Sequence, residues 1–132
     1  MLNYAERFYQ RQFLTRKVST HKILNRLEEL LDQFFRGNTV SQNGLPSVQD
    51  VAGELNLNPG YLSSVLKSLT GQTTQQHIHN KLIEQAKVKL STTDLSVGEI
   101  AYGLGFEHPQ SFSKLFKAKT KQTPLEFRSS FQ

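Results

Sequence analysis

The sequence predicts an all-α fold in which one small two-helix unit is used twice, with a long helix between the copies. Three observations carry this: a degenerate internal repeat, apolar residues at the helical period in both copies, and helix-start signals at matching places. Ser47, Val48, Ala52 and Leu55 recur 49 residues on as Ser96, Val97, Ala101 and Leu104. After a one-residue insertion near Glu107, Pro59, Ser63, Lys67, Thr70, Gln72 and Thr73 recur 50 residues on as Pro109, Ser113, Lys117, Thr120, Gln122 and Thr123. A supersecondary unit has been duplicated. Two copies are too few for a stacked solenoid, which needs about three units to bury a continuous core.

Taken in chain order, the stretch from Tyr4 to Leu14 is aromatic-rich, with Ala5, Tyr9 and Phe13 at helical spacing and Arg7, Arg11, Arg16 and Lys17 interleaved. Residues 1–20 are read as a leader or the remnant of an upstream domain, in preference to a nucleic-acid arm. From about Thr20 to Arg36, Ile23, Leu24, Leu27, Leu30, Leu31, Phe34 and Phe35 form the wide stripe of an amphipathic helix. That stripe is expected to pack on the first unit, with a dimer seam as the alternative. Gly37 to Pro46 reads as a polar connection.

In the first unit Val48, Val51, Ala52 and Leu55 share one helical face, and Leu62, Val65, Leu66 and Leu69 share another. Between them Asn56, Leu57 and Asn58 supply a turn, because asparagine enters the left-handed region at low cost. Ser47 with Asp50 has the spacing of a capping box, and Asn58 before Pro59 is a second helix start. Residues 48–70 are thus a helix-turn-helix. Thr74 to about Leu90 follows as one helix with Ile78, Leu82, Ala86 and Leu90 on one face, a rod of roughly 25 Å at about 1.5 Å per residue.

The second unit, 97–120, repeats the pattern with Val97, Ile100, Ala101 and Leu104, then Phe112, Leu115 and Phe116, around a turn at Gly105. Ser96 with Glu99 is its capping box, and His108 before Pro109 is expected to cap its second helix. Ala52 and Ala101 fit the points where paired helices cross closely. Thr123, Pro124 and Glu126 open a short final helix carrying Leu125, Phe127 and Phe131.

The 132 residues suit one domain with a modest core, and the net charge of +5 favours a polyanionic partner. The excess is local: Lys114, Lys117, Lys119 and Lys121 follow one another with no acid between Glu107 and Glu126. A lysine run alone is usually a solvated face; on a duplicated helix-turn-helix it points to DNA phosphate. No segment is apolar enough to cross a bilayer and Met1 opens no signal-peptide pattern, so a cytoplasmic protein without membrane contact is expected. The chain has no cysteine, which excludes disulfides, thiolate nucleophiles and Cys-type zinc sites. His77 and His79, two apart on a helix, make a poor metal pair. Without a phosphate loop, an HExxH motif or an activated nucleophile, neither catalysis nor a cofactor is expected.

The assembled residues resemble the AraC/XylS family of bacterial transcription regulators. "LSVGEIAYGLGFEHPQSFSKLFKAKTKQTPLEFR" is similar to that family's signature almost end to end, and "PSVQDVAGELNLNPGYLSSVLKSLTGQT" to its first unit. The spacing of Ile100-Ala101, Gly105-Phe106, Phe112, Phe116 and Thr123-Pro124 makes the match specific, over residues 30–128. The resemblance implies a seven-helix domain of two homeodomain-like helix-turn-helix subdomains joined by a long linker helix. It further implies that the second helix of each unit enters the major groove of double-stranded DNA, the two reading successive segments.

By position, Gly60, Ser63 and Ser64, with Gln110, Ser111, Ser113 and Lys114, fall where the family faces bases. Asn58, Tyr61, Lys67, His108 and Lys117 fall where phosphate contacts or helix-end positioning are expected, since phosphates fix register and base edges carry sequence. Ser64 and Lys114 stand where relatives often have arginine, and no arginine occurs between Arg36 and Arg128. Lys121 stands where the family usually has glycine, at a strained position or in an altered turn.

Family habit adds RNA polymerase as a partner, activation more often than repression, and a separate sensing or dimerisation domain. The aromatic leader favours an excised DNA-binding domain, monomeric alone and dimeric at full length, over a small stand-alone member. A protein-interaction adaptor contacting polymerase or a partner regulator is the alternative function. A third reading, DNA-repair alkyl transfer, needs a cysteine thiolate that this chain lacks.

Overall fold

Periodic stripes say which residues share a face, not which neighbour covers it. The computed structural model of the chain answers this for residues 21–36 and 39–131, which it describes. The leader of residues 1–20 lies outside the described residues. The helices are α1, helical through 21–35, α2 (Thr39–Asn43), α3 (Val48–Glu54), α4 (Pro59–Thr70), α5 (Thr74–Thr92), α6 (Val97–Gly103), α7 (Pro109–Thr120) and α8 (Pro124–Ser129). Among the described residues there is no strand. The seven-helix plan is present in α1 and α3–α8. The eighth, α2, lies in the stretch read as a polar connection, and that reading is corrected. Val40 is the one apolar residue in its sequence TVSQN, so α2 has no apolar stripe for periodicity to detect.

The helix starts are set locally. The Ser47 and Asp50 side chains exchange hydrogen bonds with each other's backbone N–H at 3.0 Å, and Ser96 with Glu99 and Thr123 with Glu126 do the same. A fourth box, Thr73 with Gln76, opens α5. Each satisfies two backbone donors that a helix end otherwise leaves orphaned. Asn58 caps α4 through Oδ1, which accepts from the Gly60 and Tyr61 N–H at 2.8 and 3.3 Å. His108 forms no side-chain cap on α7, so the cap expected of it is corrected. The Ser111 N–H instead donates to the His108 carbonyl at 3.1 Å.

The two turns are built alike. Asn56, at φ 56°, and Gly105, at φ 92°, follow α3 and α6 in left-handed geometry. In both, the N–H of the next residue reaches back five positions, Leu57 to Ala52 at 2.9 Å and Phe106 to Ala101 at 3.0 Å. This is a Schellman closure, which satisfies carbonyls at the helix end.

Two cores result. Ile23, Leu27 and Leu31 of α1 join Val51, Ala52, Leu55, Leu62, Val65, Leu66 and Ile78 in the first, so the α1 stripe as far as Phe34 is taken up by the first unit, and Phe35 packs on the second core. The second gathers Leu82, Ile83, Ala86, Leu90, Ile100, Ala101, Leu104, Phe112 and Phe116. Ala52 and Ala101 are 1% and 0% exposed, one in each core. Aromatic edges run through the second core and out of it, with Phe106–Phe112 centroids 5.5 Å apart, Phe112–Phe116 5.9 Å and Phe116–Phe127 5.6 Å. Leu125 and Phe131 end up exposed.

The 19 residues of α5 make a rod of about 28 Å. Its Ile78 belongs to the first core and its later apolar residues to the second, so one rigid element is rooted in both. Arg128 of α8 closes its far end, donating to the Leu90 and Thr93 carbonyls at 3.1 and 3.3 Å. A cation there also complements the negative end of the helix dipole.

Lys121 adopts φ 67° after α7, as Gly71 adopts φ 78° after α4. The turn has therefore not changed, and lysine occupies a position that disfavours any Cβ. Lys121→Gly is expected to stabilise the domain by about 1 kcal/mol. A melting temperature at or below that of the parent would contradict this assignment of strain.

Candidate nucleic-acid interface

The second helix of each unit buries one face and leaves the opposite face open. In α4, Leu62, Val65 and Leu66 point into the core, leaving Gly60, Tyr61, Ser64 and Lys67 exposed. In α7, Phe112 and Phe116 point in, leaving Gln110, Ser111, Lys114 and Lys117 exposed, with His108 exposed just before the helix. Neither helix carries an acidic residue. Both outward faces thus combine hydrogen-bonding groups with cations and nothing that repels an anion, the composition that phosphate and base-edge recognition requires.

The candidate positions are not equivalent in their freedom. Asn58 is exposed, but its carbonyl oxygen is held by the cap it makes. A Cβ on Gly60 would fall 3.1 Å from that oxygen, so a larger residue there would press on the cap. Ser63 is half-buried and its hydroxyl lies 3.3 Å from that of Thr74, a fully buried threonine at the start of α5. In the second unit Ser113 is also half-buried, and Pro124, at the position equivalent to Thr74, offers no hydroxyl. Tyr61 is 48% exposed and keeps its phenol available.

The lysine run divides. Lys114 and Lys117 lie one helical turn apart on the outward face, and Lys121 is exposed beyond them. Lys119 follows Phe112 and Phe116 round the helix, so it turns toward α5. There it lines an open cleft of about 260 Å³ with Asn80, Ile83, Glu84, Lys87 and Thr120. Lys87 lies 5.9 Å from the Phe127 ring centroid, a cation–π contact.

His77 and His79 go to different partners. His77 Nε2 lies 2.9 Å from the Thr70 hydroxyl, and His79 Nε2 lies 2.8 Å from the Gln75 amide nitrogen. Thr70 donates its own proton to the Leu66 carbonyl, so it accepts from His77, which is thereby the Nε2–H tautomer. Burial pushes both imidazoles below their ordinary pKa. No group of three or more His, Asp or Glu placed to hold a metal occurs among the described residues. None of their helices is long and apolar enough to cross a membrane. Asp32 is paired with Lys81, whose hydrogen bond holds the carboxyl below its usual range.

A helix-turn-helix domain family model matches residues 51–130, from α3 to the end of α8. The transcriptional regulatory protein YesN of Bacillus subtilis is 40% identical over 74 residues, covering 54% of this chain and 20% of that protein. The chain spans less than a third of the length of the first curated relatives it matches, at 20%, 29% and 29%. Among solved structures, the C-terminal domain of the two-component response regulator yesN from Fusobacterium nucleatum superposes with a TM-score of 0.62 at 33% identity, covering 76% of this chain and 96% of that one. The DNA-binding domain of the transcriptional factor AdpA, solved in complex with a target DNA, shares the fold at a TM-score of 0.67 and 21% identity, over 83% and 91% of the two chains. The chain belongs to the AraC/XylS-type helix-turn-helix family, and is a DNA-binding domain of the transcription-regulator class rather than an enzyme.

Proposed function

We propose that the domain reads two successive major-groove segments on one face of double-stranded DNA, one with α4 and one with α7. The observation that carries this is the pairing of two acid-free outward helix faces on units rooted in the same rod, α5. Recognition helices on one DNA face must lie about one turn, roughly 34 Å, apart unless the DNA bends toward a shorter separation. A rod of about 28 Å, with the widths of the helices it joins, is of that order. The DNA-binding domain of AdpA, which shares this fold, is solved in complex with a target DNA, in line with duplex DNA as the partner.

In this reading Gly60, Ser64, Gln110, Ser111 and Lys114 face base edges, with Ser63 and Ser113 at the margin of the contact. Tyr61, Lys67, His108 and Lys117 touch phosphates, and Asn58 positions the α4 terminus. Ser64 and Lys114 offer single contacts where an arginine fork would engage both acceptors of guanine. Regulation of transcription, the contact with RNA polymerase and dimerisation belong to the whole protein, in which this domain supplies the address on DNA.

The test is protection mapping on a duplex selected from a random pool. Two protected major-groove segments about 10 base pairs apart, in a site without a palindrome, are expected. Protection of one segment would reject the two-unit reading; indifference to DNA would favour a protein-interaction adaptor. Lys117→Ala should weaken binding equally on selected and scrambled duplexes. It should also lower the slope of log affinity against log salt by about 0.9, the counterion release of one phosphate contact. A loss confined to the selected site would make Lys117 a base reader.

A further inference from the structure

We infer that the end of α1, α2 and the Gly44–Leu45 corner act as a strap that fixes the second unit against the first, and so sets the base-pair spacing the domain accepts. The inference rests on the two-segment reading for its consequence on DNA, and on the fold alone for its mechanics.

The path of the chain carries it. Ile23, Leu27 and Leu31 hold α1 in the first core, yet Phe35, one turn beyond Leu31, packs on the second core. The helix α2 lies against α6, with Val40 only 3% exposed. The Gly44 N–H donates to the Val40 carbonyl at 2.8 Å, folding the corner tight. Leu45 packs on the second core, and Val48 then returns the chain to the first. So an element that precedes the first unit in sequence leaves it, touches the second and comes back.

The point of contact is the turn of the second helix-turn-helix. A Cβ on Gly105 would fall 2.8 Å from the Val40 carbonyl oxygen and 3.0 Å from the backbone carbons of Gly44. Backbone against backbone at this distance leaves no flexible side chain to absorb movement. α7 begins at Pro109, four residues past that turn, so holding Gly105 holds the start of the recognition helix.

A single rod between two units resists bending but permits each unit to rock about it. A second connection removes that freedom, as preorganisation does in any bivalent reader. On DNA the consequence is a spacing rule. With about 10 to 10.5 base pairs per turn, one added base pair rotates a half-site by roughly 35°. A locked pair of units rejects that rotation; a loose pair follows it.

Phe35→Ala and Leu45→Ala test the strap, since neither residue lies on a recognition helix and Leu45→Ala is the milder truncation if Phe35→Ala unfolds. Both should bind an isolated half-site as the parent does. On a two-segment site the parent should lose about tenfold or more in affinity when the spacing changes by one base pair, and the variants about threefold or less. Folded variants that keep the parent's tenfold discrimination would overturn the spacing role.

The mechanics are checked without DNA. The chain has no cysteine, so Ser68→Cys with Ala118→Cys places spin labels uniquely at equivalent exposed positions on α4 and α7. The label-to-label distance distribution should be narrow in the parent and broad in Phe35→Ala and Leu45→Ala. An unchanged distribution would overturn the strap itself. A parent that binds only one segment would instead overturn the two-segment reading, while the distance measurement would still judge the strap.

Discussion

Gly105→Ala is expected to lower the melting temperature by on the order of 10 °C, whereas Gly71→Ala should lower it by about a third to two thirds of that. Both glycines hold positive φ, 92° and 78°, so both substitutions incur about 1–2 kcal/mol for forcing a Cβ into left-handed backbone. Only Gly105 is also crowded. Its added Cβ meets the Val40 carbonyl at 2.8 Å, whereas a Cβ on Gly71 meets nothing within 4 Å. The extra displacement of α2 brings the total at Gly105 to about 3 kcal/mol, the large end of point-mutant effects and a substantial share of a small domain's stability. Thermal and urea unfolding of the two variants side by side would measure the difference. Equal losses would mean that α2 does not press on the turn.

The second large effect is on DNA. Inserting five base pairs between the two half-sites turns one of them by about half a turn, to the opposite face of the duplex. Units rooted in one rod cannot both engage that site, and affinity should fall to the level of a single unit. The loss is the avidity gained by linking two contacts, about 10²- to 10⁴-fold. Inserting a full turn of about ten base pairs restores the face but lengthens the span beyond the rod, so it should rescue little. Titration of labelled duplexes with the two insertions gives the numbers. Undiminished affinity on the five-base-pair insertion would leave one unit as the reader and the other as structure.

The duplicated units were legible because the signals that define them are local. A capping box needs two residues three apart, a Schellman turn needs one residue tolerant of positive φ, and a buried stripe repeats within two turns. Ser47 with Asp50, Ser96 with Glu99, Asn56, Gly105 and the apolar faces therefore fell where the structure has them. His108 failed as a cap although its position beside Pro109 matched Asn58 beside Pro59. An imidazole extends past the first-turn N–H groups that a short carboxamide folds back to meet.

The sequence by itself determined which residues face inward and where each helix begins, because those choices are made within a few residues of chain. It also determined that Lys121 replaces the glycine at its turn. Only the tertiary structure decided that Lys121 keeps the left-handed geometry at φ 67°, because the following capped start of α8 fixes the path of the chain. Tertiary packing likewise set α5 opposite Lys119 and brought Arg128 to carbonyls 38 and 35 residues earlier. It also drew α2, with its single buried valine, onto the turn of the second unit. That last contact explains why Gly105 lies where the first unit has Asn56. Both residues permit the turn, but a backbone passing so close leaves room only for the residue without a Cβ.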